Sequence, residues 1–157
     1  MKTSQFALLL SAAVIIAAGV WYPTYQRAQR EAAAAIAIAK ASRLATLGAA
    51  TKRLEYVFGI NCPADGTERQ REESACITLM TDFATLGEQA GPEDRPLIMA
   101  CHDAFFKAAQ ALNEGPKNAD EATALVALVA EESGKLDLAK TALEDRFRDL
   151  KWDLKKP

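Results

Sequence analysis

The sequence predicts an all-α protein: an N-terminal transmembrane helix followed by an up-down helical bundle in which two long helices flank a short helical hairpin. Three observations lead there. Residues 6–22, from Phe6 to Tyr22, carry no charge. The remainder is rich in Ala and poor in β-branched residues, a helical composition. Its apolar residues recur three and four apart, and Gly and Pro gather at a few places between those runs.

Residues 1–5 form a leader with a single charge, Lys2. The uncharged run of residues 6–22 is about 17 residues, roughly 25 Å as a helix at 1.5 Å per residue. That is the lower limit for crossing a hydrocarbon core of about 30 Å and slightly beyond the apolar region of an export signal. Trp21, Tyr22 and Tyr25 stand where interfacial aromatics belong and extend the short apolar helix into the headgroup layer. They favour a retained signal-anchor. The alternative is cleavage after the small pair Ala17 and Gly19, against which the apolar run continues beyond that pair. Lys2 and the free amine nearly balance Arg27 and Arg30 across the segment. The short leader favours an N-terminus that stays inside and an exported C-terminal domain.

Pro23 separates the anchor from the remainder of the chain, and Thr24 is the expected N-cap. Residues 24–60 read as one long Ala-rich helix or stalk. Its seam is Leu44, Leu47, Thr51, Leu54 and Phe58, continued backwards by Ala33, Ala37 and Lys40. Gly48 within it costs about 1 kcal/mol relative to Ala. Residues 61–157 hold the rest of the bundle. Asn61-Cys-Pro-Ala-Asp-Gly66 is a loop by composition. Thr67 with Gln70 resembles a capping box, so a second helix starts near Glu68. Its apolar face is Cys76, Met80, Phe83 and Gly87, with Leu79 and Leu86 alongside.

The turn Gly91-Pro-Glu-Asp-Arg-Pro96 leads to a third helix with Leu97, Cys101, Ala104, Phe105, Ala108 and Leu112 at helical spacing. Asn113 to Lys117 ends it. Asn118 with Glu121 opens the last helix. There the phase Leu125, Val129, Glu132, Leu136, Ala139, Leu143, Phe147, Leu150 and Leu154 survives Ser133-Gly134. One helix of about 35 residues with a weak point at Gly134 is expected rather than two helices turning there. Lys151, Lys155 and Lys156 suit its C-terminus.

Of the three cysteines, Cys62 and Cys76 flank the polar loop, and an exported domain would bridge them, with a gain of about 3 kcal/mol. A Cys76–Cys101 bridge competes, but a hairpin turning near Gly91 staggers those two by about 7.5 Å. In a cytosolic domain all three would stay reduced. Cys101 shares an apolar face with Leu97 and Phe105 and reads as a buried thiol. It forms no dyad with His102, because adjacent helical side chains diverge by about 100°. Zinc is disfavoured by one His and no C-x-x-C.

The acidic pairs Glu72-Glu73, Glu93-Asp94, Asp120-Glu121, Glu131-Glu132 and Glu144-Asp145 read as solvated faces and helix starts. Phosphate loops, dinucleotide glycines and the common hydrolase motifs are missing from the sequence. Trp152, among charges, is either an exposed interface anchor or packed on the first long helix. With 19 basic and 21 acidic residues, net charge −2, there is no basic excess to hold nucleic acid.

The expectation is a non-enzymatic protein with no catalytic residue, cofactor or metal. It would be single-pass in a bacterial inner membrane, with lipid contacts through residues 6–22 and a periplasmic helical domain. That domain would bind protein partners in or near the membrane, as subunit or accessory of a membrane-associated assembly. The alternative is a cleaved, soluble periplasmic bundle acting as inhibitor or chaperone. The plan resembles that of phage spanins, conjugation accessory proteins and envelope immunity proteins, in architecture only, and no residue role carries over.

Overall fold

The structure is a computed structural model that describes residues 3–154, with side chains described from Trp21 onward. Met1 and Lys2 of the leader, and Lys155 and Lys156 of the basic C-terminus, lie outside the described residues, as do the side chains of the expected anchor up to Val20. Among the described residues there are four helices and no strand: α1 (Thr3–Leu54), α2 (Gly66–Gln89), α3 (Arg95–Glu114) and α4 (Ala119–Asp153). Two long helices thus flank a shorter hairpin, as the periodicity predicted. The chain divides into two compact units, Met1–Ala41 and Ser42–Pro157.

The first unit is helical over its described residues, from Thr3 onward. Within the described side chains, the Trp21–Leu54 part of α1 is long and apolar enough to be a candidate membrane span. Its last turns, which belong to the second unit, bury Leu47, Ala50 and Leu54. Pro23 does not break the helix, contrary to expectation. It withdraws one N–H and so one backbone bond, a local loss that the 52-residue helix tolerates. Thr24 is therefore not an N-cap: its Oγ1 donates to the Trp21 carbonyl at 2.8 Å.

At its other end α1 stops at Leu54 rather than Ile60. Glu55 and Val57 make short-range bonds back to the carbonyls of Lys52 and Leu54, tightening the last turn. Tyr56-Val-Phe58 are mediocre helix formers, and Gly59 comes next at φ 121, a left-handed conformation. The expected seam therefore holds at Leu47 and Leu54 and fails at Phe58, which is 92% exposed.

α2 is capped by Asp65, whose Oδ1 accepts from the backbone N–H groups of Thr67 and Glu68 at 2.9 Å. The expected cap, Thr67, already lies within the helix. α2 buries Cys76, Phe83 and Gly87. α3 is the central helix and buries seven positions, Ile98 and Cys101 among them. Phe83 and Phe105 meet across the α2–α3 interface with ring centroids 5.9 Å apart, a separation that suits tilted aromatic pairs. α4 begins with a variant of the capping box: Glu121 N–H donates to the N-cap Asn118 Oδ1 at 2.9 Å, and Glu121 Oε2 accepts from the N–H of Lys117, one residue before the cap. It then runs through Gly134 without interruption. The single phase predicted for it is the buried face observed: Val129, Glu132, Leu136, Ala139 and Leu143.

Candidate interaction surface

The connection between α1 and α2 places two aromatics in solvent and fixes the backbone beneath them. Lys140 of α4 donates its Nζ to the Val57 carbonyl at 3.0 Å. The Ile60 N–H donates to Ser133 Oγ at 3.1 Å, and the Asn61 N–H donates to Glu72 Oε1 at 3.0 Å. Gly59 lies so close to α4 that a Cβ there would stand 2.9 Å from Ser133 Oγ. Ile60 and the half-buried Val57 pack on the core. Phe58, between these anchor points, and Tyr56, immediately before the first of them, are 92% and 77% exposed, with the Lys140 ammonium 6.0 Å from the Phe58 ring centroid. Large aromatics on a backbone already held in place lose little freedom on binding, which is how interface anchors work.

A second apolar feature lies between α2 and α3: a shallow groove of about 190 Å³ formed by Ile77, Met80, Phe106 and Ala109, edged by Glu73 and Asn113. The His102 ring stacks parallel to Phe106 at 6.3 Å, and its Nδ1 is 2.9 Å from Asp103 Oδ1. His102 thus pairs with its neighbours on the surface rather than with Cys101.

Several members of the acidic pairs expected on solvated faces have defined partners. Glu72 and Glu121 accept from backbone amides, Asn61 N–H and Lys117 N–H respectively. Asp94 is the departure from expectation: it is 2% exposed. Arg43 of α1 grips it with two parallel bonds, from Nε to Oδ2 and from Nη2 to Oδ1 at 2.8 Å. Arg146 of α4 approaches Oδ1 at 3.4 Å, and Arg43 also reaches Glu93 at 2.9 Å. With its carboxylate so engaged, Asp94 makes no side-chain cap on α3, although it stands at the N-cap position. Glu132, also buried, accepts from Lys135 Nζ at 2.7 Å.

The three cysteines are free thiols. The expected Cys62–Cys76 bridge is not formed, nor is the competing Cys76–Cys101 bridge. Cys76 and Cys101 face the core as small apolar side chains, while half-buried Cys62 lies in the pinned connection. Burial pushes the thiols of Cys76 and Cys101 up to about 12, and the Glu72 carboxylate adds to the effect on Cys76. Burial also raises Cys62, countered by the charge of Arg69. Thiols held protonated are poor nucleophiles and poor metal ligands.

Near the expected membrane boundary, Trp21, Tyr22 and Tyr25 are all exposed. Trp21 and Tyr25, one helical turn apart, stack with centroids 5.2 Å apart. Tyr25 also accepts a hydrogen bond from Gln29 Nε2 at 2.8 Å. Trp152 is exposed at the end of α4. No group of three or more metal-ligating side chains occurs among the described residues.

Tyr56 belongs to no pattern that periodicity reveals, and Phe58 falls on an apolar seam that reads as buried. The available signal is the run of weak helix formers ahead of Gly59. Comparisons with protein-family profiles, characterised proteins and solved structures returned no match.

Proposed function

We propose that this chain is a non-enzymatic, single-pass protein of a bacterial inner membrane. Residues 6–22 anchor it, and its helical domain, exported to the periplasm, binds a protein partner as subunit or accessory of a membrane-associated assembly. The observation that supports this reading best is the pinned connection carrying Tyr56 and Phe58. Two large aromatics exposed this far on a backbone tied to α4 and α2 contribute little to the stability of the domain, and they suit burial against a second protein. Anchoring would supply the rest of the affinity. A partner confined to the same membrane is met at an effective concentration in the millimolar range when the tether can span the two sites.

The test is site-specific photocrosslinking in intact cells, with a benzophenone side chain at position 58 and, as control, at Leu138, an apolar residue of α4 that is 75% exposed. The reading expects a discrete membrane-protein adduct from position 58 that is absent from position 138. Equal adducts at both positions, or none at 58, would overturn it. Orientation is read independently by fusing alkaline phosphatase to the C-terminus, which gives activity only if the domain is exported.

A further inference from the structure

The part of α1 that belongs to the first unit has an apolar surface on view. Every residue from Arg27 to Ala41 is exposed, although the stretch is mostly alanine and carries Ile36 and Ile38, 58% and 70% exposed. A helix in water is held chiefly by packing an apolar face on another element.

The exposed apolar residues fall into one seam. Trp21, Tyr25, Ala28, Ala32, Ala35 and Ala39 follow one another at alternating steps of four and three, the heptad spacing of a helix that pairs with another helix. The seam runs for about 27 Å at 1.5 Å per residue. Two large rings stand at its head, Trp21 stacked on Tyr25 at 5.2 Å. Ile36 and Ile38 flank it, each about 80° from its midline at about 100° per residue. The basic residues keep away from it: Arg30 is about 160° from the midline, Lys40 about 120° and Arg27 about 100°. Glu31 is nearer, at about 60°, and Arg27 of the same helix holds its carboxylate at 3.3 Å.

We propose that a second copy of this chain covers the seam, giving a parallel, in-register two-helix coil over residues 21–39. A heptad seam fits a helix, because its side chains insert as knobs into holes on a facing helix. An identical helix answers it at every level. Rings meet rings at Trp21 and Tyr25, small residues meet small residues from Ala28 to Ala39, and neither copy brings an unpaired charge to the contact. The alanines let the two axes come close, so Ile36 and Ile38 of each copy cover the flanks. The parallel order rests on residues 6–22 anchoring both copies in one bilayer, which also raises their effective concentration. Pairing along the seam is separate from the binding of a partner through Tyr56 and Phe58 and stands without it.

The experiment is oxidative crosslinking of the full chain in membranes. The background is Cys62→Ser, since Cys76 and Cys101 are buried. Single substitutions are Ala28→Cys, Ala35→Cys and Ala39→Cys, with Ala37→Cys as control, an alanine about 180° from the midline. All four positions are exposed, so the core of the bundle is untouched. A disulfide needs Cα atoms within about 7 Å, so dimers should form about tenfold faster at 28, 35 and 39 than at 37. Ala32→Glu, a charge placed in the seam, should abolish the dimer at position 35, whereas Ala33→Glu, on the far side, should leave it. Equal rates at 35 and 37 would overturn the proposal. So would dimers at fewer than all three seam positions, or crosslinks from them to a different protein. The adduct expected from position 58 is scored separately, so loss of one result is not loss of the other.

Discussion

Replacing Gly134 by Ala tests whether α4 is one helix. Gly134 lies in the middle of Ala119–Asp153, is exposed, and is not among the glycines with positive φ. A Cβ built there meets nothing within 4 Å. The substitution therefore carries no steric cost, and only the backbone terms remain. Ala is favoured over Gly in a helix interior by about 0.8–1 kcal/mol, chiefly because the unfolded chain has fewer conformations to lose. For a domain of this size such a gain raises the melting midpoint by roughly 2–6 °C. The assay is thermal unfolding of the full chain in detergent, monitored by circular dichroism at 222 nm. Two further glycines calibrate it. At Gly87 the new Cβ would lie 2.6 Å from Met99 Sδ, so the same propensity gain is offset by displacing a flexible side chain. At Gly59, φ is +121 and Ser133 Oγ is 2.9 Å away, so Ala is strained by about 1–3 kcal/mol. The expected order of midpoints is Gly134→Ala, then Gly87→Ala, then Gly59→Ala. A midpoint for Gly134→Ala below that of wild type would refute the continuous helix, since a turn there would be expected to need the freedom of glycine.

The same packing sets other expectations. Phe83→Ala removes a fully buried ring that faces Phe105 and should destabilise by about 3–5 kcal/mol in urea unfolding. Asp65→Ala deletes a cap that accepts two backbone bonds and should cost about 1 kcal/mol, whereas Thr67→Ala should cost less; the reverse order would restore Thr67 as the cap. In the native protein at pH 8, iodoacetamide should modify Cys62 well before Cys76 and Cys101, and equal rates by peptide mass spectrometry would contradict the burial of the latter two. Those two thiols stay protonated to about 12 in the fold, while in the unfolded chain they ionise near pH 8.5. Between these values the unfolded state binds fewer protons, so stability falls as pH rises, by up to about 1.4 kcal/mol per pH unit for each thiol. Cys101→Ala should flatten that decline when unfolding is compared at pH 8 and pH 10.

The helices that bury a face were the legible part of this chain. The phase from Leu125 to Leu150 crosses Gly134 in the sequence and in the structure, because the buried positions of a helix repeat locally. The turn before α3 was equally legible from its glycine and prolines. Pro23 misled because its effect depends on what flanks it, and a long helix can tolerate one missing bond. Phe58 misled because apolar periodicity continues past the point where Leu54 ends the helix. Asp94 was beyond reach: its partners, Arg43 and Arg146, lie about fifty residues away on either side, and charge pairing at that range leaves no local pattern. The pinned connection has the same origin, since Ser133 and Lys140 reach Ile60 and Val57 only once α4 is in place.

The state of the cysteines has a consequence for how the domain is made. Two of the three are shut inside the apolar interior as protonated thiols, and no pair is joined. The interior is thus assembled by packing rather than by cross-linking, and the two thiols occupy core positions alongside Phe83 and Phe105. A reagent in solution reaches them only when the helices around them part, so their modification rate measures how often the domain opens.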